Sequence, residues 1–352
     1  MNKQRVFVGM SGGVDSSVTA ALLKKSGHDV TGVFIRGWYP FDFVQGKPKL
    51  CTWREDRRDA MRVAAILDIP FYTFDFSKEY KKYIIDHMVK EYKAGRTPNP
   101  DVMCNKHIKF DMFLKKALEM GADKIATGHY VKMNEVQPHS LKIASDKEKD
   151  QSYFLWTLKQ KQLKYCLFPI GDYFKSEVRE LAKKFKLPVA NKKDSQGLCF
   201  VGEFRMEDFL KDYIKPRPGK ILNEKGEEVG EHKGVQYYTI GQRHGVGANE
   251  ERPLYIVEKD LKKNILIVAS EDNEEKYFKK EIKIKNVNWT LGREPNFDKT
   301  YSARIRYRQP LQKCKLIEGY RISFNESQRA VASGQSLVLY DGQKLLGGGV
   351  ID

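Results

Sequence analysis

The stretch VFVGMSGGVDSS, residues 6–17, decides the fold of the first half of the chain. Its apolar start predicts a buried β-strand, and residues 16–25 predict an α-helix with Val18, Ala21 and Leu22 on one face. A glycine-rich turn between a strand and a helix presents backbone N–H groups at the positive end of the helix. That arrangement is typical of a phosphate-binding site.

Two common phosphate-binding motifs do not match this turn. A Walker A loop needs a lysine directly after its last glycine, and the dinucleotide fingerprint needs the spacing GxGxxG; neither occurs here. What remains is SGGVDS, residues 11–16, which we call the phosphate loop. Its glycines let the backbone approach phosphate oxygens, and Asp15 beside those oxygens calls for a bridging Mg²⁺. A plain strand–helix turn with a serine cap is the alternative.

Strand and helix signals alternate through the first half of the chain. Strands are predicted over residues 29–35, 70–76 and 123–130, and helices over 54–67 and 77–93. This rhythm predicts an α/β fold in which a parallel sheet carries helices on both faces.

The pattern changes after KPRPGK, residues 215–220, where proline and glycine mark a boundary. Short strands are predicted after it, at residues 235–245, 253–260 and 264–270. Cleaner alternation from about residue 280 predicts a small all-β barrel. We therefore predict a catalytic domain over residues 1–212, a central β-rich domain over 213–278 and a C-terminal barrel over 279–352.

The charge of the chain points to a polyanionic partner. Its 352 residues include 63 Lys and Arg against 46 Asp and Glu, a net charge of +17 at pH 7 that no single run holds. A folded protein with this charge is expected to bind a polyanion, with nucleic acid as the first candidate and a membrane surface as the second. A lysine-rich genome would produce the same balance without any such partner.

We expect a cytoplasmic protein without a membrane anchor. No apolar stretch is long enough to span a bilayer, and the chain enters a strand directly without a signal peptide. The five cysteines form no CxxC pair, which favours reduced thiols over a disulfide framework. Cys51, Cys166 and Cys314 lie outside any motif and are predicted to be inert, the last two in core or edge positions.

Five further stretches narrow the function of the phosphate loop. They are NPDVMCN (99–105), KDQSYFL (149–155), KKDSQGLCFVGE (192–203), YTIGQRHG (238–245) and RYRQ (306–309). The loop resembles the pyrophosphatase (PP) loop of ATP-dependent adenylating enzymes. Together, and in this order along nearly the whole chain, the six stretches resemble the tRNA-specific 2-thiouridylases.

That resemblance implies a reaction and its partners. The enzymes exchange the 2-oxygen of the wobble uridine for sulfur in tRNAs for Lys, Glu and Gln, with ATP and Mg²⁺. The partners would be tRNA and a sulfur carrier or cysteine desulfurase that delivers persulfide sulfur to Cys199. The fold implied is a PP-loop ATP pyrophosphatase domain followed by two small β-rich domains, and no metal-ligating cluster is expected.

The resemblance also assigns residues to three groups. ATP would be held by Gly9, Met10, Ser11, Gly12, Gly13, Val14, Asp15, Ser16, Ile35 and Gly128. Catalysis would fall to Cys104, Cys199 and Asp101. The tRNA would meet Asn99, Pro100, Asp101, His129, Lys149, Asp150, Gln151, Arg306, Tyr307, Arg308, Gln309 and Gln335, the first three at the extruded base.

Some of these residues have alternative interpretations or depart from the family pattern. A turn-stabilising role for Asp101 and a hydrogen-bonded structural role for His129 are the alternatives to function. Ile35 stands where the family often has methionine, and Ser333 replaces the proline of a usual PGQ, which loosens the turn before Gln335.

The chemistry explains why an RNA enzyme needs both ATP and cysteines. Oxygen is a poor leaving group, and AMP transfer to the uridine 2-oxygen makes it a good one. A persulfide then supplies sulfur as the nucleophile, and a second thiol releases it by forming a disulfide. This predicts Cys104 and Cys199 on separate mobile, polar segments, with Lys106 or the pair Lys192 and Lys193 helping to ionise a thiol.

Strand alternation in SARIRYRQ, residues 302–309, predicts Arg304, Arg306 and Arg308 on one face, where they would meet RNA phosphates. A solvated barrel face is the alternative.

Two other functions compete with 2-thiolation. One is a different PP-loop adenylating enzyme, either a small-molecule ligase or another tRNA-modifying ATPase. The other is a non-catalytic RNA-binding protein, against which the phosphate loop and the two motif cysteines argue.

Overall fold

A computed structural model describes residues 3–38, 53–193, 206–243 and 253–352. Cys51 and Cys199 lie outside these residues. The first part of the chain forms a parallel sheet of five strands, β1 (Arg5–Gly9), β2 (Asp29–Arg36), β3 (Phe71–Asp75), β4 (Lys124–Thr127) and β7 (Cys166–Leu167). Their order across the sheet is β3-β2-β1-β4-β7, and every neighbouring pair is parallel. This confirms the predicted α/β fold.

Helices cover both faces of this sheet. Strand alternation sends Val6 and Val8 of β1 to one face and Phe7 to the other. The first face packs against α1 (Val14–Lys25), α2 (Trp53–Ile66) and α8 (Lys175–Lys184). The second packs against two long helices, which run through α3 (Ser77–Tyr80) and α4 (Asp86–Lys93), and through α5 (Pro100–Cys104) and α6 (Leu114–Glu119).

Each of the two long helices contains a π-helical stretch, Lys81–Ile85 in the first and Asn105–Phe113 in the second. The second helix is seated on the sheet by Phe113, whose ring lies 6.2 Å from that of Phe74 on β3. Its first turn carries Asp101 and Cys104. The packing therefore holds the start of this helix over the same sheet that carries the phosphate loop. The described residues also contain two short helices, α7 (Gln160–Leu163) and α9 (Met206–Lys211).

The central part is a small sheet of β8 (Gly219–Asn223), β9 (Glu228–His232), β10 (Leu254–Asp260) and β11 (Ile265–Ser270), in the order β10-β11-β8-β9. Two predicted strands are confirmed as β10 and β11. The strand predicted over residues 235–245 is wrong in its described part, since Val235–Tyr237 forms a 3₁₀ turn. Burial of Val235 and Tyr237 in that turn, directly after Gly234 at φ +152°, explains the apolar pattern that suggested a strand.

The C-terminal part is a closed barrel, as predicted. Its strands are β12 (Lys279–Trp289), β13 (Thr300–Arg304), β14 (Gln312–Ile317), β15 (Arg321–Gln328), β16 (Ser336–Asp341) and β17 (Lys344–Ile351). They run in the order β12-β15-β14-β13-β16-β17, and pairing of β12 with β17 closes the ring. A hairpin from the first part of the chain, β5 (Lys132–Asn134) and β6 (Ser140–Lys142), adds to β17 from outside. The barrel is thereby joined to the parallel-sheet part through backbone pairing.

No helix within the described residues is both long and apolar enough to cross a membrane.

Candidate functional site

The phosphate loop has a backbone shape that only glycine accommodates at one position. Gly12 lies at φ +77°, and a Cβ built on it would stand 2.1 Å from the backbone oxygen of Asp56 in α2. Gly13 has φ −95°, and its nearest neighbour would be the Ser11 hydroxyl at 3.4 Å. The first glycine therefore lets the loop pass against α2, while no contact among the described residues requires glycine at the second position.

Serine hydroxyls hold the loop from inside. The Ser16 hydroxyl accepts from the Ser11 backbone N–H at 3.1 Å, and the Ser17 hydroxyl donates to the Gly13 carbonyl at 2.7 Å. Because C=O and N–H point in opposite directions across a trans peptide, binding of the Gly13 carbonyl turns the Val14 N–H toward the open side of the loop. A backbone N–H at a helix start is a donor for anions.

Gly128 lies against the phosphate loop, as its assignment to the nucleotide site requires. It follows β4, and a Cβ there would stand 2.7 Å from the Ser16 backbone nitrogen. Ile35, near the end of β2, is buried at the same carboxyl edge of the sheet. Open parallel sheets bind ligands at that edge. The loop, Gly128 and Ile35 therefore lie at the same edge of the sheet, and their shared role in binding ATP stays a prediction.

Two residues that the sequence did not single out bind Asp15. The ammonium of Lys175 lies 2.7 Å and 2.9 Å from the two carboxylate oxygens, and the Tyr130 hydroxyl donates to one of them at 2.8 Å. Lys175 is the first residue of α8, and its backbone N–H donates to Asp146. The 160-residue separation between Lys175 and Asp15 left no local signal in the sequence.

Three family models match consecutive parts of the chain. A tRNA methyl transferase HUP domain matches residues 4–203, a tRNA methyl transferase PRC-barrel domain matches 207–270, and an aminomethyltransferase β-barrel domain matches 279–351. The tRNA-specific 2-thiouridylase MnmA of Nitrosomonas europaea is 45% identical, with 100% of this chain and 99% of that protein covered. The enzyme of the same name from Pseudomonas putida is 45% identical over 99% of this chain and 95% of its own length.

The chain belongs to the tRNA-specific 2-thiouridylase family. In this 2-thiouridylase the predicted catalytic segment NPDVMC opens the second long helix. Asn99 caps it by accepting from the Val102 backbone N–H at 3.2 Å, and Pro100 occupies the first helical position, where a missing N–H costs nothing. Asp101 therefore lies in the first turn of this helix.

The surroundings predicted for Cys104 are wrong. Instead of a mobile polar segment, the 2-thiouridylase places Cys104 in a helix, 0% exposed and within the main apolar cluster. Helical periodicity places Cys104 and Ile108 on the face of the helix that packs in the apolar cluster. The sequence Pro-Asn-Pro before it suggests a turn and gives no sign of that burial. The predicted partner Cys199 lies outside the described residues, so its meeting with Cys104 stays a prediction.

Two of the three cysteines without motifs, Cys166 and Cys314, are buried, as predicted. Cys166 lies in β7, where burial raises the pKa of its thiol. Cys314 lies in β14, and burial raises its pKa to about 12. A thiol held neutral at physiological pH is a poor nucleophile, so neither is chemically prepared for sulfur transfer.

His129 lies inside the protein. Its ring packs 5.7 Å from Phe110 and 6.3 Å from Phe168, and its Nδ1 shares a 2.7 Å hydrogen bond with the Thr127 hydroxyl. Burial and, secondarily, the charge of Lys109 hold the pKa of His129 well below its usual range. The imidazole is therefore neutral and hydrogen-bonded in place; its contact with tRNA stays a prediction.

The arginine face predicted in the barrel does not exist. Strand β13 ends at Arg304, so alternation does not continue through Tyr307. Arg304 is instead buried, with 7% of its side chain exposed, and its guanidinium lies 3.0 Å from the carboxylate of Asp150, which is 1% exposed. A buried arginine needs a counter-charge, and Asp150, two positions before the 3₁₀ turn Ser152–Leu155, supplies it from the first part of the chain.

Arg306 also makes hydrogen bonds within the protein. Its guanidinium donates to the carbonyls of Ile240 and Ala330 at 2.7 Å and 2.8 Å, which ties the central part to the barrel. Gln309 accepts from the Ile305 backbone N–H at 2.8 Å, and Gln151 accepts from that of Tyr130 at 3.0 Å. These polar groups hold loops whose tRNA contacts stay predictions.

Three residues assigned to tRNA meet at one groove. Lys149, Arg308 and Gln309 line a cavity of about 630 Å³ between the first part of the chain and the barrel, together with Lys147 and Leu311. Arg308 is exposed and lies over the ring of Tyr307, which in turn lies 4.5 Å from the ring of Phe154. Cations beside an aromatic pair suit phosphate contact and base stacking.

Gln335 bridges the barrel to the catalytic segment. Its amide donates to the carbonyls of Thr97 and Pro98 at 3.0 Å and 3.2 Å, directly before Asn99. Gly334 lies at φ +93°, and a Cβ there would stand 2.9 Å from the Thr97 oxygen. Because of this glycine, the turn still packs closely against the backbone of Thr97, although serine replaces the family's proline at position 333.

Replacing Lys175 by methionine should slow ATP-dependent turnover by about 10–100-fold, because the Asp15 carboxylate then loses the cation that orients it in the phosphate loop. Lys183→Met in the same helix removes an exposed cation paired with Glu180 and should leave turnover unchanged. The measurement is tRNA-dependent pyrophosphate release. Equal rates in the two variants would show that Lys175 does not position Asp15.

Proposed function

We propose that this protein is an ATP-dependent tRNA uridine 2-sulfurtransferase that thiolates the wobble uridine of tRNAs for Lys, Glu and Gln. The observation that supports this most strongly is the 45% identity to tRNA-specific 2-thiouridylases along the full length of the chain. The phosphate loop against Gly128 at the carboxyl edge of the sheet supplies the site that ATP needs.

The reaction begins at the phosphate loop. The uridine 2-oxygen attacks the α-phosphorus of ATP, pyrophosphate leaves, and Asp101 accepts the proton lost from the ring nitrogen. Backbone N–H groups at the start of α1 stabilise the charge on the leaving pyrophosphate. The product is an adenylated base whose 2-oxygen can leave as AMP.

Sulfur then replaces AMP. The terminal sulfur of a Cys199 persulfide, delivered by a sulfur carrier or cysteine desulfurase, attacks the ring carbon, and AMP departs with the 2-oxygen. The Cys104 thiolate next attacks the Cys199 sulfur, which leaves the transferred sulfur on the base and forms a Cys104–Cys199 disulfide. A thiol reductant restores both thiols. Because Cys104 is fully buried, this step requires rearrangement around residues 99–105.

Mg²⁺ fits this site as a companion of ATP. The described residues contain no cluster of three or more His, Cys, Asp or Glu side chains that could hold a metal. Mg²⁺ commonly takes one or two carboxylates and completes its shell with phosphate oxygens and water. Asp15 is the carboxylate of the loop that would hold it, and the bound ion would neutralise phosphate charge. Lys175 and Tyr130 fix the orientation of that carboxylate.

The groove with Lys149 and Arg308 is the proposed docking surface for the anticodon arm. Its cations contact phosphates, the neighbouring rings of Tyr307 and Phe154 stack a base beside Arg308, and the extruded uridine reaches Asp101. Sequence-independent phosphate contacts position the RNA, and the pocket selects the base.

The function is tested by incubating the protein with ATP, Mg²⁺, a cysteine desulfurase with cysteine as the source of persulfide sulfur, a thiol reductant and unmodified tRNA for Glu. We expect 2-thiouridine at the wobble position after digestion, none without ATP, and none in the same tRNA with cytidine at that position. Asp15→Ala and Cys199→Ser should each remove the product. A small-molecule ligase would give no thiolated tRNA in any arm, and a non-catalytic RNA-binding protein would bind the tRNA without releasing pyrophosphate.

A further inference from the structure

Lys192 bridges the phosphate loop and α2. Its ammonium lies 2.7 Å from a carboxylate oxygen of Asp56, 2.7 Å from one of Asp59 and 3.1 Å from the carbonyl oxygen of Gly12. The three acceptors satisfy the three donors of an ammonium. Lys192 is also one of the lysines predicted to help ionise a thiol, and in this arrangement all three of its donors bind the loop and α2.

The side chain is firmly placed. Burial opposes its charge, but the hydrogen bonds to Asp56 and Asp59 outweigh burial and raise the pKa of Lys192, so it is protonated at neutral pH. Its backbone is also held, because Arg179 of α8 donates to the carbonyls of Ala190 and Lys192 at 3.1 Å each. Lys192 is therefore a fixed cation.

The Gly12 carbonyl is one of two consecutive loop carbonyls bound on the protein side. Lys192 holds the Gly12 carbonyl, and the hydroxyls of Ser16 and Ser17 hold the Gly13 carbonyl. In trans peptides this turns the N–H groups of Gly13 and Val14 to the opposite side. Two successive N–H groups directed outward at a helix start form a concave anion site.

The Gly12–Gly13 peptide needs such a restraint. A peptide between two glycines has little steric preference and rotates easily, and each glycine loses more conformational freedom on ordering than other residues do. The hydroxyls of Ser16 and Ser17 restrain only the second carbonyl. In the Gly12–Gly13 peptide, the N–H donates to the exposed Ser11 hydroxyl over a long bond of 3.4 Å, and the carbonyl is held by Lys192.

We propose that Lys192 is a positioning residue that locks the Gly12–Gly13 peptide so that the Gly13 N–H faces the β- and γ-phosphates of ATP. The inference rests on the proposed function only in taking ATP as the ligand of the loop. Lys192 acts through the Gly12 carbonyl and contacts no substrate. Its effect falls on the pyrophosphate end of the nucleotide, while the adenosine end near Ile35 is bound independently.

The test measures ligand binding to the whole chain by calorimetry, with no tRNA or sulfur donor present. Lys192→Met should weaken the affinity for MgATP and for magnesium pyrophosphate by about tenfold or more each, and change that for adenosine by less than about twofold. Asp59→Asn keeps the lysine and loosens it, so the same selective pattern should appear at about threefold.

Lys184→Met is the matched control. It removes the same charge from an exposed residue at the end of α8 and should bind all three ligands as the wild type does. Unchanged pyrophosphate binding in a folded Lys192→Met would overturn the proposal, and so would an equal loss of adenosine binding, which indicates general collapse of the site. A wild-type chain that binds no ATP would instead overturn the proposed function.

Discussion

Replacing Cys104 by serine should reduce sulfur transfer to tRNA by more than about 10³-fold and leave tRNA-dependent pyrophosphate release within about threefold of the wild type. Adenylation needs ATP, the phosphate loop and Asp101, none of which is altered. Release of the transferred sulfur needs a second thiolate, and a serine hydroxyl is neither ionised at neutral pH nor able to form a disulfide. The two measurements are 2-thiouridine by nucleoside analysis and pyrophosphate by coupled assay.

Cys314→Ser is the control for this prediction. It makes the same atomic change in a buried thiol of β14, far along the chain from the catalytic segment. Stability should fall in both variants because both hydroxyls are buried in apolar surroundings. Only Cys104→Ser should separate adenylation from thiolation. Full thiolation by a folded Cys104→Ser would remove Cys104 from the mechanism.

Substitution of alanine at Gly12 should disrupt the phosphate loop, whereas the same substitution at Gly13 should not. Gly12→Ala places a methyl group 2.1 Å from the Asp56 backbone oxygen in a left-handed conformation. We expect a loss of about 3 kcal/mol in unfolding free energy and loss of measurable ATP binding. Gly13→Ala meets only the tip of Ser11 at 3.4 Å and has an ordinary φ of −95°, so its stability should change by less than about 1 kcal/mol.

Denaturant unfolding of both variants, followed by the stabilisation that added MgATP produces, measures this difference. Because the two glycines are adjacent, general effects of the substitution on the loop are the same in each. Similar unfolding free energies for the two variants would contradict the close packing of the loop on α2.

The local patterns of the sequence predicted the elements that depend on neighbouring residues. The βα alternation, the closed barrel and the phosphate loop were all visible, because strand and helix periods and turn glycines act over a few positions. The burial of Cys104 could not be predicted from local sequence patterns. Its turn-like flanks, Asn99 and Pro100, cap a helix, and only packing against the sheet buries the thiol.

The prediction for the arginines of the barrel is wrong for the same reason. Alternation in SARIRYRQ predicted a shared face, but the counter-charge for Arg304 is Asp150, 154 positions earlier. No local rule reports a partner at that distance. The boundaries predicted at residues 212 and 278 likewise stay predictions, since the β5–β6 hairpin of the first part pairs with the barrel.

By itself, the sequence determined the phosphate loop, the order of the α/β and all-β parts and the two motif cysteines, because these follow from spacing within short segments. The tertiary structure alone decided which residues hold that loop: Lys175 and Tyr130 on Asp15, and Lys192 on Gly12. Their side chains arrive from more than 100 positions away, and folding of the helices onto the sheet is what places a cation beside a given carboxylate or carbonyl.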